Sequence, residues 1–222
     1  MLGRKGYLLS VEGPDTAGKS TQVELLKQAF ESKGERTEIL HFPDYHSPYG
    51  KLIAQFLRAD RDESLDYHEA YALQLLYVAD QQAAQTRIRR LLDDGVHVIL
   101  DRYDLSTMIY TAATLSQTAQ GQRFSEDPMI AVRMISCCQS ELIQPNLTFV
   151  LDLPASEIRQ RKAVLDRFES NDPLMTFIAQ MYQNIGKEEK YLFGRPIIHL
   201  DAMKSPKDIH HDITQEIKNR LS

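Results

Sequence analysis

The chain has 222 residues and 42% hydrophobic content, enough for a single domain over residues 1–222 with one sizeable core. Its net charge of −5 excludes a general nucleic-acid or membrane-surface binder, since either needs a basic face. No apolar run reaches transmembrane length and the first strand begins almost at once, so the expectation is a cytoplasmic protein without a signal peptide.

Residues 6–11 are a short apolar run that predicts a buried strand. They lead into Gly-Pro-Asp-Thr-Ala-Gly-Lys-Ser at 13–20, a full match to the phosphate-loop pattern G-x-x-x-x-G-K-S/T. Backbone N–H groups of such a loop wrap a phosphate, Lys19 supplies a point charge, and the Ser20 hydroxyl can ligate Mg²⁺. Gly13, Asp15, Thr16, Ala17, Gly18, Lys19, Ser20 and Thr21 are therefore the candidate ATP contacts. Val23, Leu26 and Phe30 share a face of the following helix, whose positive end points at the phosphate, and Gly34 closes it.

A second strand is expected at 37–42, a short helix near 49–57, and a long helix from about 67 to 92 carrying Leu73, Leu76, Tyr77, Asp80 and Ala84 near one side. Residues 96–100 are nearly all apolar and read as a central strand. Helices follow at roughly 105–119 and 128–142, a fourth strand at 147–153, a helix at 156–162, another at 173–190, a fifth strand at 196–200 and a last helix at 205–221. Strands alternating with helices predict an α/β protein: a five-stranded parallel sheet covered on both faces. Ligands of such sheets bind beyond the carboxyl ends of the strands, where Gly13, Asp101 and Asp152 lie.

Asp101-Arg102-Tyr103 follows the central strand directly. An acid there is placed to hold Mg²⁺, and the adjacent arginine can grip a second phosphate with two parallel hydrogen bonds. Arg159, Arg161, Lys162 and Arg167 crowd into nine residues of an acidic chain. They read either as a solvated helix or, beside an ATP site, as a short cationic lid (about 156–170) over the group being transferred.

Glu-Gly-Pro-Asp-Thr-Ala-Gly-Lys-Ser-Thr-Gln (12–22), Phe-Pro-Asp-Tyr (42–45), Leu-Leu-Tyr-Val-Ala-Asp (75–80), Asp-Arg-Tyr-Asp-Leu-Ser (101–106) and Asp-Arg-Phe-Glu (166–169) together resemble the thymidylate kinase family. The resemblance runs from residue 7 to about 205. It implies the P-loop kinase fold, a homodimer, and ATP- and Mg²⁺-dependent phosphorylation of dTMP for dTTP synthesis. It also implies that Asp15 holds the acceptor's 3′-hydroxyl, that Arg102 takes the acceptor phosphate, and that Lys19, Arg102 and either Arg159 or Arg161 act on the transferring group. Arg167 falls among the donor contacts. Phe42, Tyr45, Tyr77, Gln81, Ser106 and Tyr110 fall among the acceptor contacts, Tyr77 as the ring stacked on thymine and Tyr110 against the deoxyribose. Ser20 and Asp101 are the implied Mg²⁺ ligands, and residues 201–205 resemble the loop that lies against adenine. Thr16 in place of a loop arginine, with the basic residues in the lid, resembles the bacterial-type arrangement.

Two positions depart from the family pattern. Tyr45 stands where an arginine commonly binds the acceptor phosphate, and Gln81 where an arginine reads thymine O4. A glutamine amide can serve thymine in one orientation and cytosine when flipped, so its neighbours decide. dTMP is the expected acceptor. dUMP, dCMP or a broader pyrimidine range is the alternative within the same chemistry, and a non-catalytic nucleotide-binding switch the alternative outside it. Cys137 and Cys138 are expected to be reduced core thiols, Met129 and Met134 ordinary core, His46 incidental, and His210 and His211 solvated on a polar helix.

Overall fold

The strand β1 (Leu8–Glu12) is buried along its whole length, which is why its sequence is a near-continuous apolar run instead of an alternating one. It pairs in parallel with β3 (His97–Asp101) on one side and β4 (Leu147–Asp152) on the other. The register puts Leu9 opposite both Ile99 and Leu147. β5 (Ile197–Asp201) continues the sheet beyond β4, and β2 (Thr37–His41) lies beyond β3, giving the order β2-β3-β1-β4-β5. The computed structural model describes residues 5–58, 66–119, 121–161, 172–186 and 194–221.

Two compact units emerge, one from Met1–Leu40, Arg87–Asp101 and Gln144–Ser222, the other from His41–Thr86 and Arg102–Ile143. In the first, α1 (Lys19–Glu31) lays Val23, Leu26 and Phe30 against β1 and β3. The helix α9 (Asp172–Asn184) packs on β4, and α10 (Pro206–Leu221) on β5 and α1. The phenol of Tyr7 donates to the carbonyl of Leu221, tying that last helix to the approach to β1. The α/β sheet with alternating helices is the one the sequence predicts.

The second unit is helical. α3 (Tyr67–Ala83) packs between α2 (Pro48–Arg58) and α5 (Asp104–Ser116), and α5 packs on α7 (Pro128–Cys138). Asp66 caps α3 by accepting from the Glu69 N–H, and Asp127 caps α7 by accepting from the Met129 N–H, with Pro128 at the first position.

Three expectations need correction. The helix expected over 67–92 is two helices, α3 and α4 (Gln85–Asp93), because the Gln85 side chain donates at 2.8 Å to the Gln81 carbonyl, the acceptor its own backbone N–H would use in a continuous helix. A short helix, α6 (Gln122–Glu126), which the periodicity did not suggest, buries Phe124 completely. Cys137 and Cys138 are free but exposed, not core thiols. The buried stripe of α7 runs through Ala131, Val132 and Ile135 and recurs four residues on at Gln139, at the helix end, while Cys137 and Cys138 fall outside it. Met129 and Met134 are half-buried at the margin of the same stripe.

Candidate active site

In the sheet-bearing unit the phosphate loop leaves β1 at Gly13, whose φ of 144° and closeness to the Leu151 carbonyl (an added Cβ would lie 2.8 Å from that oxygen) leave no room for a side chain. Gly18, at φ 94°, starts α1 without a side-chain cap, and the first turn of α1 contains no acid. The N-terminal end of a thirteen-residue helix, where the backbone dipole favours an anion, thus lies at the phosphate loop. Lys19 is buried, and its ammonium donates to the Pro14 carbonyl at 2.7 Å, folding back over the loop. The Ser20 hydroxyl donates to the Asp101 carboxylate at 2.9 Å, so the loop and the end of β3 meet at two oxygen donors, a set suited to a hard cation. Asp15 is half-buried and Ala17 is buried; the exposed Thr21 follows Ser20 in the first turn of α1.

The segment expected as a lid opens within α8 (Ala155–Arg161), which is fastened to this loop. Thr16 donates to the Ile158 carbonyl at 3.4 Å, and Arg161 donates to the Thr16 carbonyl at 3.5 Å and to the Ala202 carbonyl at 3.1 Å. Arg161 thus joins α8 to the phosphate loop and to the turn that follows β5. The side chain of Arg159, and all of Lys162, Arg167 and the Asp-Arg-Phe-Glu stretch at 166–169, lie outside the described residues.

In the helical unit, Arg102 opens the connection into α5. One guanidinium nitrogen donates to Ser106 at 3.3 Å, and the guanidinium carbon sits 5.4 Å from the centre of the Tyr110 ring. Phe42, which precedes a cis peptide to Pro43, is buried against Tyr103 with ring centres 5.7 Å apart. Tyr45 is 51% exposed, and the neighbouring His46 is exposed as well. Tyr77 is half-buried on α3. Gln81, one turn later, is enclosed: its Nε2 donates to Thr107 at 2.8 Å, and its Oε1 accepts from Gln139 Nε2 at 3.1 Å.

Sequence reasoning missed several supporting residues. Asp80, buried on α3, accepts from the Asp44 N–H at 2.7 Å and from the Ser47 hydroxyl, and so braces the turn that carries Tyr45. Burial pushes its carboxyl above the usual aspartate range, against those two hydrogen bonds. Thr107 and Gln139 were likewise unflagged; no contiguous motif contains them. His210 is half-buried, not solvated, and burial, with His211 beside it, lowers its pKa. Among the described residues no three His, Cys, Asp or Glu side chains group as a metal site.

Among the described residues only Thr16 and Arg102 are non-glycine residues with positive φ, at 61° and 66°. Such backbone conformations are costly for side-chain-bearing residues and concentrate where function demands them. One falls in the phosphate loop and the other on the arginine expected to bind the acceptor. The thymidylate kinase family model matches residues 11–213. The chain is 34% identical to the thymidylate kinase of Danio rerio, across all of this chain and 94% of that one. It is 28% identical to the human enzyme, over 96% of this chain and 90% of the other. The solved thymidylate kinase of Candida albicans, described for its broad substrate specificity, superposes with a TM-score of 0.79 at 27% identity, over 97% of this chain and 92% of that one. This chain belongs to the thymidylate kinase family.

Proposed function

We propose that this chain transfers the γ-phosphoryl group of ATP to the phosphate of dTMP, giving dTDP and ADP. Membership of the family makes it a nucleoside monophosphate kinase. The observation that carries the reading is the dipeptide Asp101–Arg102. Its first residue bonds to the phosphate loop through Ser20, and its second, held at φ 66°, reaches Ser106 and Tyr110 on α5.

The nucleophile in this reading is an oxygen of the acceptor phosphate, which is largely dianionic at neutral pH because its second pKa is about 6. No general base is required. The catalytic work is to bring two anions together and to neutralise charge on the group in flight. Lys19 and the N-terminal end of α1 hold the donor phosphates, and Arg102 holds the acceptor phosphate. Arg161, with Arg159 and Arg167 as further lid cations, completes the cationic set. Asp15 takes the acceptor's 3′-hydroxyl, Tyr77 stacks on the base, and Ser106 and Tyr110 border the sugar and phosphate. Ser20 and Asp101 offer two oxygen donors, a set that fits Mg²⁺, an ion usually held by one or two protein ligands together with substrate phosphates. Bound there, Mg²⁺ would neutralise phosphate charge. A cytoplasmic homodimer completes the reading on family grounds; among the described residues no helix is long and apolar enough to cross a membrane.

A second reading keeps the chemistry and widens the acceptor. It is favoured by Gln81, a neutral amide in place of the family's cationic reader. ADP release from ATP and Mg²⁺ with dTMP, dUMP, dCMP, dAMP and dGMP tests both. dTMP as the best acceptor is expected. A purine preference would refute both pyrimidine readings, and tight nucleotide binding with no stimulation by any monophosphate would mark a switch protein.

A further inference from the structure

Gln139 was not expected to matter, yet it is buried, and both hydrogens of its amide are committed. One goes to Gln81 Oε1 at 3.1 Å and the other to the backbone carbonyl of Asp104 at 3.2 Å. A main-chain carbonyl can only accept, so the Asp104 contact fixes which end of the Gln139 amide faces inward. Flipping it would set its oxygen against two other oxygens. Its Oε1 has no hydrogen-bond partner among the described residues, a cost accepted in this orientation.

The consequence passes to Gln81. Thr107 alone could not orient the Gln81 amide, because a hydroxyl both donates and accepts. Gln139, arriving as a fixed donor, requires the Gln81 oxygen to face it and the Gln81 nitrogen to face Thr107, which it reaches at 2.8 Å. Thr107 in turn donates to the Tyr103 carbonyl at 3.4 Å. The result is a one-way chain of donors, Gln139 to Gln81 to Thr107 to Tyr103, anchored by a main-chain carbonyl at each end. An amide nitrogen carries two hydrogens, and the Thr107 bond uses one. Among the described residues the second hydrogen meets no acceptor, so what Gln81 can offer a ligand is an N–H. Gln81 lies one turn after Tyr77, on the same face of α3.

We propose that Gln139 is a positioning residue which, by locking the Gln81 amide with its N–H available, makes the acceptor site select 4-keto pyrimidines and reject cytosine. This rests on the kinase reading above. A donor meets the C4 oxygen of thymine or uracil and opposes the C4 amino group of cytosine. Thymine and uracil differ only by a methyl group, which the amide does not sense.

The test is steady-state kinetics with dTMP, dUMP and dCMP on the wild type, Gln139→Met, Gln81→Met and the double variant. In the wild type, dUMP is expected within about tenfold of dTMP, whereas dCMP falls below it by about 10²-fold or more in kcat/KM. In Gln139→Met the dTMP/dCMP ratio is expected to drop by about tenfold or more, mainly through KM, as the Gln81 amide becomes free to flip. Gln81→Met should lose the same discrimination, and the double variant should lose no more than Gln81→Met alone. Equal use of dCMP and dTMP by the wild type would overturn the assignment even if the Gln139 variant failed to fold. So would an unchanged ratio in a folded Gln139→Met protein, or additive losses in the double variant. Absence of turnover with every monophosphate would remove the kinase reading and this assignment together; turnover with an unaltered ratio removes this assignment alone.

Discussion

The guanidinium of Arg102 lies 5.4 Å from the centre of the Tyr110 ring and donates to Ser106 at 3.3 Å, so two residues of α5 aim it. A cation over an aromatic face is worth about 0.5–2 kcal/mol depending on desolvation, and the ring also limits the rotamers open to the guanidinium. Tyr110→Phe, which keeps the ring, should leave the KM for the acceptor nearly unchanged. Tyr110→Leu should raise it by about three- to thirtyfold. Arg102→Lys replaces a planar fork with a point charge and should lower kcat/KM for the acceptor by about 10²-fold or more. Equal effects of the Phe and Leu changes would show that the ring face does not orient Arg102.

Asp80 links α3 to the turn at 44–47 through the Asp44 N–H and the Ser47 hydroxyl, and Ser47 also caps the Gly50 N–H at 2.8 Å. Burial raises the Asp80 carboxyl above its ordinary value of 3.8. In the folded protein it then binds a proton that the unfolded chain has already lost. Its contribution to stability is complete below the ordinary value and declines as pH rises through the raised one. Asp80→Asn removes that titration while keeping a side-chain oxygen for the Asp44 N–H. Urea unfolding midpoints of wild type and variant, followed upward from pH 3.5, should therefore shift in the variant's favour as pH rises through this range. A constant difference across the range would show that Asp80 does not titrate as its burial requires.

Arg161 is committed to the carbonyls of Ala202 and Thr16. These contacts tie α8 to the turn after β5 and to the phosphate loop, which on the proposed kinase reading is the donor side. Hydrogen bonds from a charged group contribute about 1.5–3 kcal/mol. Arg161→Ala should raise the KM for ATP by about ten- to a hundredfold, with a smaller effect on kcat. A kcat loss of about 10³-fold at unchanged KM would instead put Arg161 on the transferring phosphoryl group, in the manner of an arginine finger.

What could be recognised before folding is what chemistry concentrates in consecutive residues. A phosphate loop needs glycines, a lysine and a hydroxyl at fixed spacing, because one stretch of backbone does the wrapping. Residues 13–20 were readable for that reason, as was Asp101-Arg102, which sits where a buried strand ends. The sheet was readable too, since strands buried on both faces leave near-continuous apolar runs.

The remainder depended on partners distant in the chain. Nothing local marks Ala84 as a break, since glutamine is a good helix former; the Gln85 side chain finds the Gln81 carbonyl, Tyr103 and the Ile143 N–H only in the folded chain. Gln139 lies four residues after Ile135, on the buried stripe of α7, but its partners, the Gln81 amide and the Asp104 carbonyl, come from other helices and meet it only in the folded chain. The sequence by itself determined the family and the α/β architecture, and it marked the phosphate loop at 13–20. Only the tertiary structure decided which way the Gln81 amide points, because an amide's two ends are nearly the same shape and a main-chain carbonyl, brought up by another helix, is what tells them apart.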